Sequence, residues 1–199
     1  WDDTGKYINN TGYIMPCDDP ALLGILQSRV TWFAISQICQ PLRLRAGLWQ
    51  YRVLPQFAVR LPIPEMSTKT SQVLRSVSVS ISSHAADRYR LQRQTRNRIS
   101  SDLGIPGTPF NQKLSAWWQL GFPSFRSEVT RVFKRDIPLK QRDEWEAWLL
   151  EKGAEHERLT AEIVRLESEL NTCVYELFDL TGAEIQVIHD STKYGYGEV

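Results

Sequence analysis

The sequence predicts an α+β protein: a small antiparallel sheet with one packed helix, followed by an all-helical lobe with a coiled-coil-like seam. Three observations predict it. Leu22, Leu23, Leu26, Val30, Phe33 and Ile38 recur at helical spacing. Trp49, Tyr51 and Val53 then alternate with Gln50 and Arg52, which is a strand period. From Trp145 through Leu149, Lys152, His156, Leu159, Ile163, Leu166, Leu170 and Cys173 to Leu177 the steps of four and three make a heptad seam, clean from Leu159.

Taken in order, residues 1–18 read as a hairpin. Lys6–Ile8 and Tyr13–Met15 are short apolar runs around the turn-rich Asn9-Asn10-Thr11-Gly12. Asp19 is an N-cap acceptor and Pro20 suits a first helical turn. One helix is expected over 21–39, ending near Gln40 because Pro41 disfavours helical dihedrals in the residue before it. Ala46-Gly47 permits a turn. Strands are expected at 49–53 and 57–61, the second ending in Pro62-Ile63-Pro64, where prolines stop ladder pairing. This first lobe closes near residue 66.

Residues 67–199 are expected to be helical. Ser76–Ser83 reads SVSVSISS, which fits a strand; Val73, Val77 and Ile81 at i, i+4, i+8 also fit a helix. Helix is the favoured reading, because no breaker interrupts the stretch from there to Gly104. A basic helix over 70–103 is thus expected, with Gly104 closing it. Thr108-Pro109 restarts a helix ending at Gly121, Pro123 opens another, and Pro138 opens the last long one, which Gly153 could break into two pieces. It runs to about 180. A short helix over 181–188 follows, then a loose tail.

The chain has 199 residues and a net charge of +1, which conceals an asymmetry. Residues 1–64 carry +2, residues 65–142 carry +9 and residues 143–199 carry −10. The middle segment alone is basic enough to attract a polyanion. Apolar runs are short and interrupted, so no membrane span is expected. Cys17, Cys39 and Cys173 are odd in number and far apart. They read as buried or half-buried free thiols of a cytoplasmic protein, not as disulfides or zinc ligands. His84, His156 and His189 share no metal-ligand spacing, and no metal site is expected. The first residue is Trp1, not Met, and a piece of a longer protein is expected.

Two clusters are candidates for binding. Arg43, Arg45, Gly47, Trp49, Gln50, Tyr51 and Arg52 combine side chains that read base edges with side chains that stack. Gly47 would let the backbone approach closely. The competing reading is a hairpin turn with core aromatics and surface arginines. In the basic helix, Arg88, Arg93 and Arg96 fall roughly on one side, with Arg90 and Arg98 elsewhere. They could track a phosphate backbone, or be a solvated face paired with the Glu-rich C-terminal helices. Trp117, Trp118, Trp145 and Trp148 sit at regular apolar spacing and are expected in the core.

Leu22-Leu23-Gly24-Ile25-Leu26, then Arg45, Gly47, Trp49 and Tyr51, then Leu61-Pro62-Ile63-Pro64, form an ordered pattern. So do Leu166–Asn171, Val174–Phe178, Leu180-Thr181 and Glu184-Ile185 at the other end. Together they resemble the C-terminal target-recognition region of type IIG restriction–modification enzymes and adenine-specific DNA methyltransferases, with a TaqI-like specificity domain. The resemblance implies that residues 1–66 are a recognition lobe, that the Arg43–Arg52 segment lies near DNA, and that the partners are double-stranded DNA and an N-terminal catalytic domain of the parent chain. S-adenosylmethionine and Mg would belong to that missing upstream part.

The chain has no Gly-rich cofactor loop, no Asn-Pro-Pro-Tyr-type tetrapeptide and no Asp/Glu-x-Lys triplet. No catalytic residue is therefore expected within it. The expected function is a DNA-binding specificity module, non-catalytic on its own. The alternative is a helical scaffold that docks onto a catalytic domain or partner chain.

Overall fold

The computed structural model describes residues 15, 17–45, 48–105 and 107–191. Among these residues it is mostly helical with one two-stranded antiparallel sheet, the α+β class expected. The hairpin expected over 1–18 and the tail beyond 191 lie outside the described residues.

The first apolar stretch makes two helices instead of one: α1 (Pro20–Gln27) and α2 (Arg29–Ile38). Asp19 caps α1, its carboxylate accepting from Ala21 N at 2.9 Å. The break is Ser28. Its backbone is extended, its Oγ donates to Ile25 O at 2.7 Å, and the same Oγ accepts from Thr31 N at 3.3 Å. One buried hydroxyl ends a helix and starts the next, because serine offers the backbone a local alternative to the helical ladder.

The strands are also shifted from expectation. β1 (Gln40–Arg45) pairs antiparallel with β2 (Leu48–Arg52), with Arg43 opposite Gln50 and Leu44 opposite Trp49. An irregularity lies between Pro41 and Arg43. The partner of 48–52 therefore precedes it. Leu42-Arg43-Leu44-Arg45 already alternates at period two, and Pro41 is tolerated at a sheet edge. The strand expected at 57–61 is absent. Pro55 opens a one-turn helix, α3 (Pro55–Ala58), where its fixed φ is preorganised.

Two long helices follow, α4 (Thr68–Asp102) and α7 (Arg142–Leu177). The ambiguous 76–83 stretch is helical. Leu74 and Val77 are buried while Val73 and Val79 are exposed, a 3.6 period and not a period of two. Gly104 closes α4, donating N–H to Ser100 O; a Cβ there would lie 2.2 Å from that oxygen. α7 runs unbroken through Gly153, which settles whether that residue interrupts it, since a single mid-helix glycine costs only about 1 kcal/mol relative to alanine.

The described residues form two compact units whose borders fall inside α4 and α7, at different places from residue 66. One is drawn from Trp1–Ile81 and Arg165–Val199. Its core joins Ala21, Ile25, Leu74, Val77, Leu166, Leu170 and Val174, with Ile188 from α8 (Gly182–Ser191). Gly24 allows close packing there: a Cβ would sit 2.3 Å from Ser78 Oγ and 3.0 Å from Leu170 Cδ1, so one of those side-chain ends would have to move.

The other unit is Ser82–Val164. Its core is aromatic, with Trp117, Phe125, Phe133 and Trp145 buried among Ile99, Leu114 and Leu149. Trp118 and Trp148 pack against it, as expected of the tryptophans. The helix expected from Thr108 to Gly121 is shorter. α5 (Gln112–Ser115) starts after Asn111, whose Oδ1 accepts from Leu114 N at 2.8 Å, and a 3-10 turn follows at Trp117–Gln119. α6 (Phe122–Phe133) opens at Pro123 as expected and ends on Lys134, which is left-handed at φ 57°. A 3-10 turn at Leu139–Gln141 leads into α7.

Candidate nucleic-acid interface

The β1–β2 ribbon displays most of the first candidate cluster. Directly opposed residues of an antiparallel pair share a face, and neighbours along a strand alternate. Arg43, Gln50 and Arg52 thus lie on one face, and Leu44, Trp49 and Tyr51 on the other. Arg43 and Arg52 are exposed, as are Leu44 (58%) and Trp49 (51%). Gln50 and Tyr51 are half-buried. Arg43 Nε donates to Gln50 Oε1 at 2.6 Å, so the two expected base-readers are held to each other across the strands. The expected roles of Gly47 and of the Arg45 side chain fall outside the described residues. The aromatics here are not core, so the competing hairpin reading fails on that point.

The basic helix is a different case. Arg88 is only 7% exposed, and its Nη1 donates to Thr160 Oγ1 at 3.3 Å. A guanidinium so placed cannot reach a phosphate, and the expected role of Arg88 is corrected to an internal one. Arg96 is half-buried and donates to Ser115 O. Arg90 pairs with Asp87 and Arg98 with Asp102 along their own helix. Arg98 also lies over the Trp148 ring at 4.9 Å. Arg93 is exposed. The expected one-sided arginine face does not assemble.

A sequence signal for Arg88 existed. Leu74, Val77, Ile81, His84, Arg88, Leu91, Thr95 and Ile99 step by three and four, so Arg88 occupies a seam position of α4. His156 occupies the matching kind of position on α7. It is buried, Gln92 Nε2 lies 3.0 Å from its Nε2, and Trp118 stacks on its ring at 4.7 Å and 11°. Burial, reinforced by the nearby Arg88 charge, pushes the His156 imidazole down to about 4. It is therefore neutral at pH 7 and accepts the amide proton of Gln92. Trp117 Nε1 is buried beside this cluster without a hydrogen-bond partner among the described residues.

The residues that sequence reasoning passed over lie between 107 and 142. Asp136 accepts two bonds from Arg126, at 2.7 and 2.6 Å, and one from Arg142 at 2.8 Å. The Arg126 guanidinium, then the Ile137 N–H and the Arg142 charge, hold the Asp136 carboxyl down at about 2. Glu128 accepts from Asn111 Nδ2 at 2.7 Å and faces Lys113 and Arg131 at 3.9 and 3.6 Å. Arg135 donates to Leu103 O at 2.9 Å and to Gly104 O.

A shallow groove is lined by Met66, Thr68, Ser71, Gln72 and Arg75, with no carboxylate. Among the described residues no group of three His, Cys, Asp or Glu could hold a metal ion. Cys17 is exposed, unlike the burial expected of it, while Cys39 is buried and Cys173 half-buried. No described helix is long and apolar enough to cross a membrane. No curated protein and no solved structure matches the chain. A family model described as a domain of unknown function, DUF8810, matches residues 67–174, more than half of the chain, and the chain belongs to that family.

Proposed function

We propose that this chain is a duplex-DNA recognition module, the specificity part of a restriction–modification or phage-defence adenine methyltransferase acting in the cytoplasm. The observation that carries the reading is the ribbon: Arg43, Gln50 and Arg52 on one face of an exposed two-stranded sheet, with Trp49 uncovered on the other. A B-form major groove admits a two-stranded ribbon, and arginine and glutamine match the edges of guanine and adenine. Opening the Arg43–Gln50 bond frees both for bases. S-adenosylmethionine and Mg would be held by the catalytic part of the parent protein.

The test is duplex selection followed by sequencing of the bound pool. Wild-type chain enriches a defined motif, and Arg43→Ala or Gln50→Ala relaxes one base position of it. A pool that stays random, or an unchanged motif in both variants, refutes the ribbon as reader.

A second reading is favoured by a separate observation. Leu42 and Leu44 are each 58% exposed on the ribbon, beside Trp49. An exposed apolar cluster fits a helical scaffold that docks through this hairpin onto a catalytic domain or partner chain. Loss of partner binding in Leu44→Asp/Trp49→Asp, with no duplex binding by wild type, selects that reading.

A further inference from the structure

The geometry points to the segment from Lys113 to Arg142 as a source of phosphate contacts for duplex DNA. This rests on the DNA-recognition reading above and supplies the backbone-gripping contacts that α4 does not. Between residues 107 and 142 there are seven Lys/Arg and two acidic residues. Each carboxylate is shared by two cations: Glu128 by Lys113 and Arg131, Asp136 by Arg126 and Arg142. Lys134, Arg135 and Lys140 have no carboxylate at ion-pair distance among the described residues, and all three are exposed.

The side chains of Lys113 and Arg131 are 69% and 68% exposed, so their shared carboxylate leaves them reachable. Arg135 is anchored by the carbonyls that end α4, which fixes one guanidinium in place before a ligand arrives. Asp143, Glu144 and Glu146 follow on the first turns of α7; with them residues 107–146 still hold seven cations to five carboxylates. Several reachable cations in excess of local acid fit a ligand whose own charges recur at short intervals, and a duplex backbone is such a ligand.

The experiment is fluorescence anisotropy of the full chain on a random duplex of about 20 base pairs over a salt series. The proteins are wild type, Arg131→Gln/Lys134→Asn/Lys140→Gln, and Arg90→Gln/Arg93→Gln. Asparagine tolerates the left-handed backbone at 134. The triple variant is expected to lower the slope of log K against log salt by about 2–3, at roughly 0.9 for each phosphate no longer neutralised, with unchanged circular dichroism. The α4 double variant is expected to lower it by less than about 1. Should the triple variant unfold, Lys140→Gln alone must lower the slope by about 1.

A wild-type slope in the folded triple variant overturns these contacts while leaving the ribbon reading intact. Failure of wild type to bind duplex at low salt overturns both. Equal affinity for polyglutamate and duplex overturns DNA as the partner.

Discussion

Arg88, Arg90, Arg96 and Arg98 of α4 form the densest basic cluster in the chain, yet each is engaged within the protein. Lys134 and Lys140 are exposed and meet no carboxylate among the described residues, and Arg135 stays exposed although Leu103 O and Gly104 O hold it. Charge density along a chain therefore does not measure charge offered to solvent. A long helix carries its arginines around all sides, and a three-four seam can draw one of them inward. A short helix followed by an irregular turn has little interior to draw them into.

The largest effect is expected at Arg88. Replacing it with Met removes the bond to Thr160 from a buried site and should cost about 2–4 kcal/mol of stability. Arg93→Met should cost less than about 0.5 kcal/mol. Denaturant melts measure both, and equal costs would erase the distinction between buried and displayed arginine.

His156 sharpens the same contrast through pH. Its folded value lies near 4 against an ordinary 6.5, so the unfolded chain takes up the proton first as pH falls. Its contribution is complete above about 6.5 and is lost progressively down to about 4, by up to about 3 kcal/mol. His156→Gln should flatten stability over that window. Asp136 also has a depressed value, so its loss comes lower, between 3.8 and about 2. A wild-type pH profile that is flat between 6.5 and 4 would contradict the burial argument.

Asn111→Ala tests the carboxylate that two cations share. It removes the cap of α5 and the donor to Glu128, at about 1–2 kcal/mol by thermal melt. The smallest effect is at Lys134, whose φ of 57° strains a non-glycine residue. Lys134→Gly should leave stability unchanged or raise it by about 0.5 kcal/mol, and a clear loss would mean that the side chain is structurally engaged.

Much of the helical part is legible in the sequence. Asp19-Pro20, Pro123 and the breaker-free run before Gly104 mark their helices correctly. The buried seam of α7 follows the three-four spacing through Leu159, Ile163, Leu166 and Leu170. What fails is punctuation by single residues. Ser28 reads as an ordinary helix residue until its hydroxyl is seen serving both neighbours. Pro55 outweighs the strand preference of the residues after it. Arg88 is misjudged because an arginine counts as surface until a facing helix supplies Thr160. The ribbon is half-legible: Trp49 stands in a strand as expected, but its partner strand precedes it in the chain instead of following it.

Gly24 sets a limit on how this chain can change. A methyl group there meets Ser78 Oγ at 2.3 Å, so enlarging position 24 requires the Ser78 hydroxyl to turn away or be lost. Gly24→Ala alone should loosen the first unit, and Ser78→Ala beside it should recover part of the loss, since the remaining neighbour atom of residue 78 stands 3.7 Å away. The two sites are thereby bound into one inheritance, and drift at either is steered by the other.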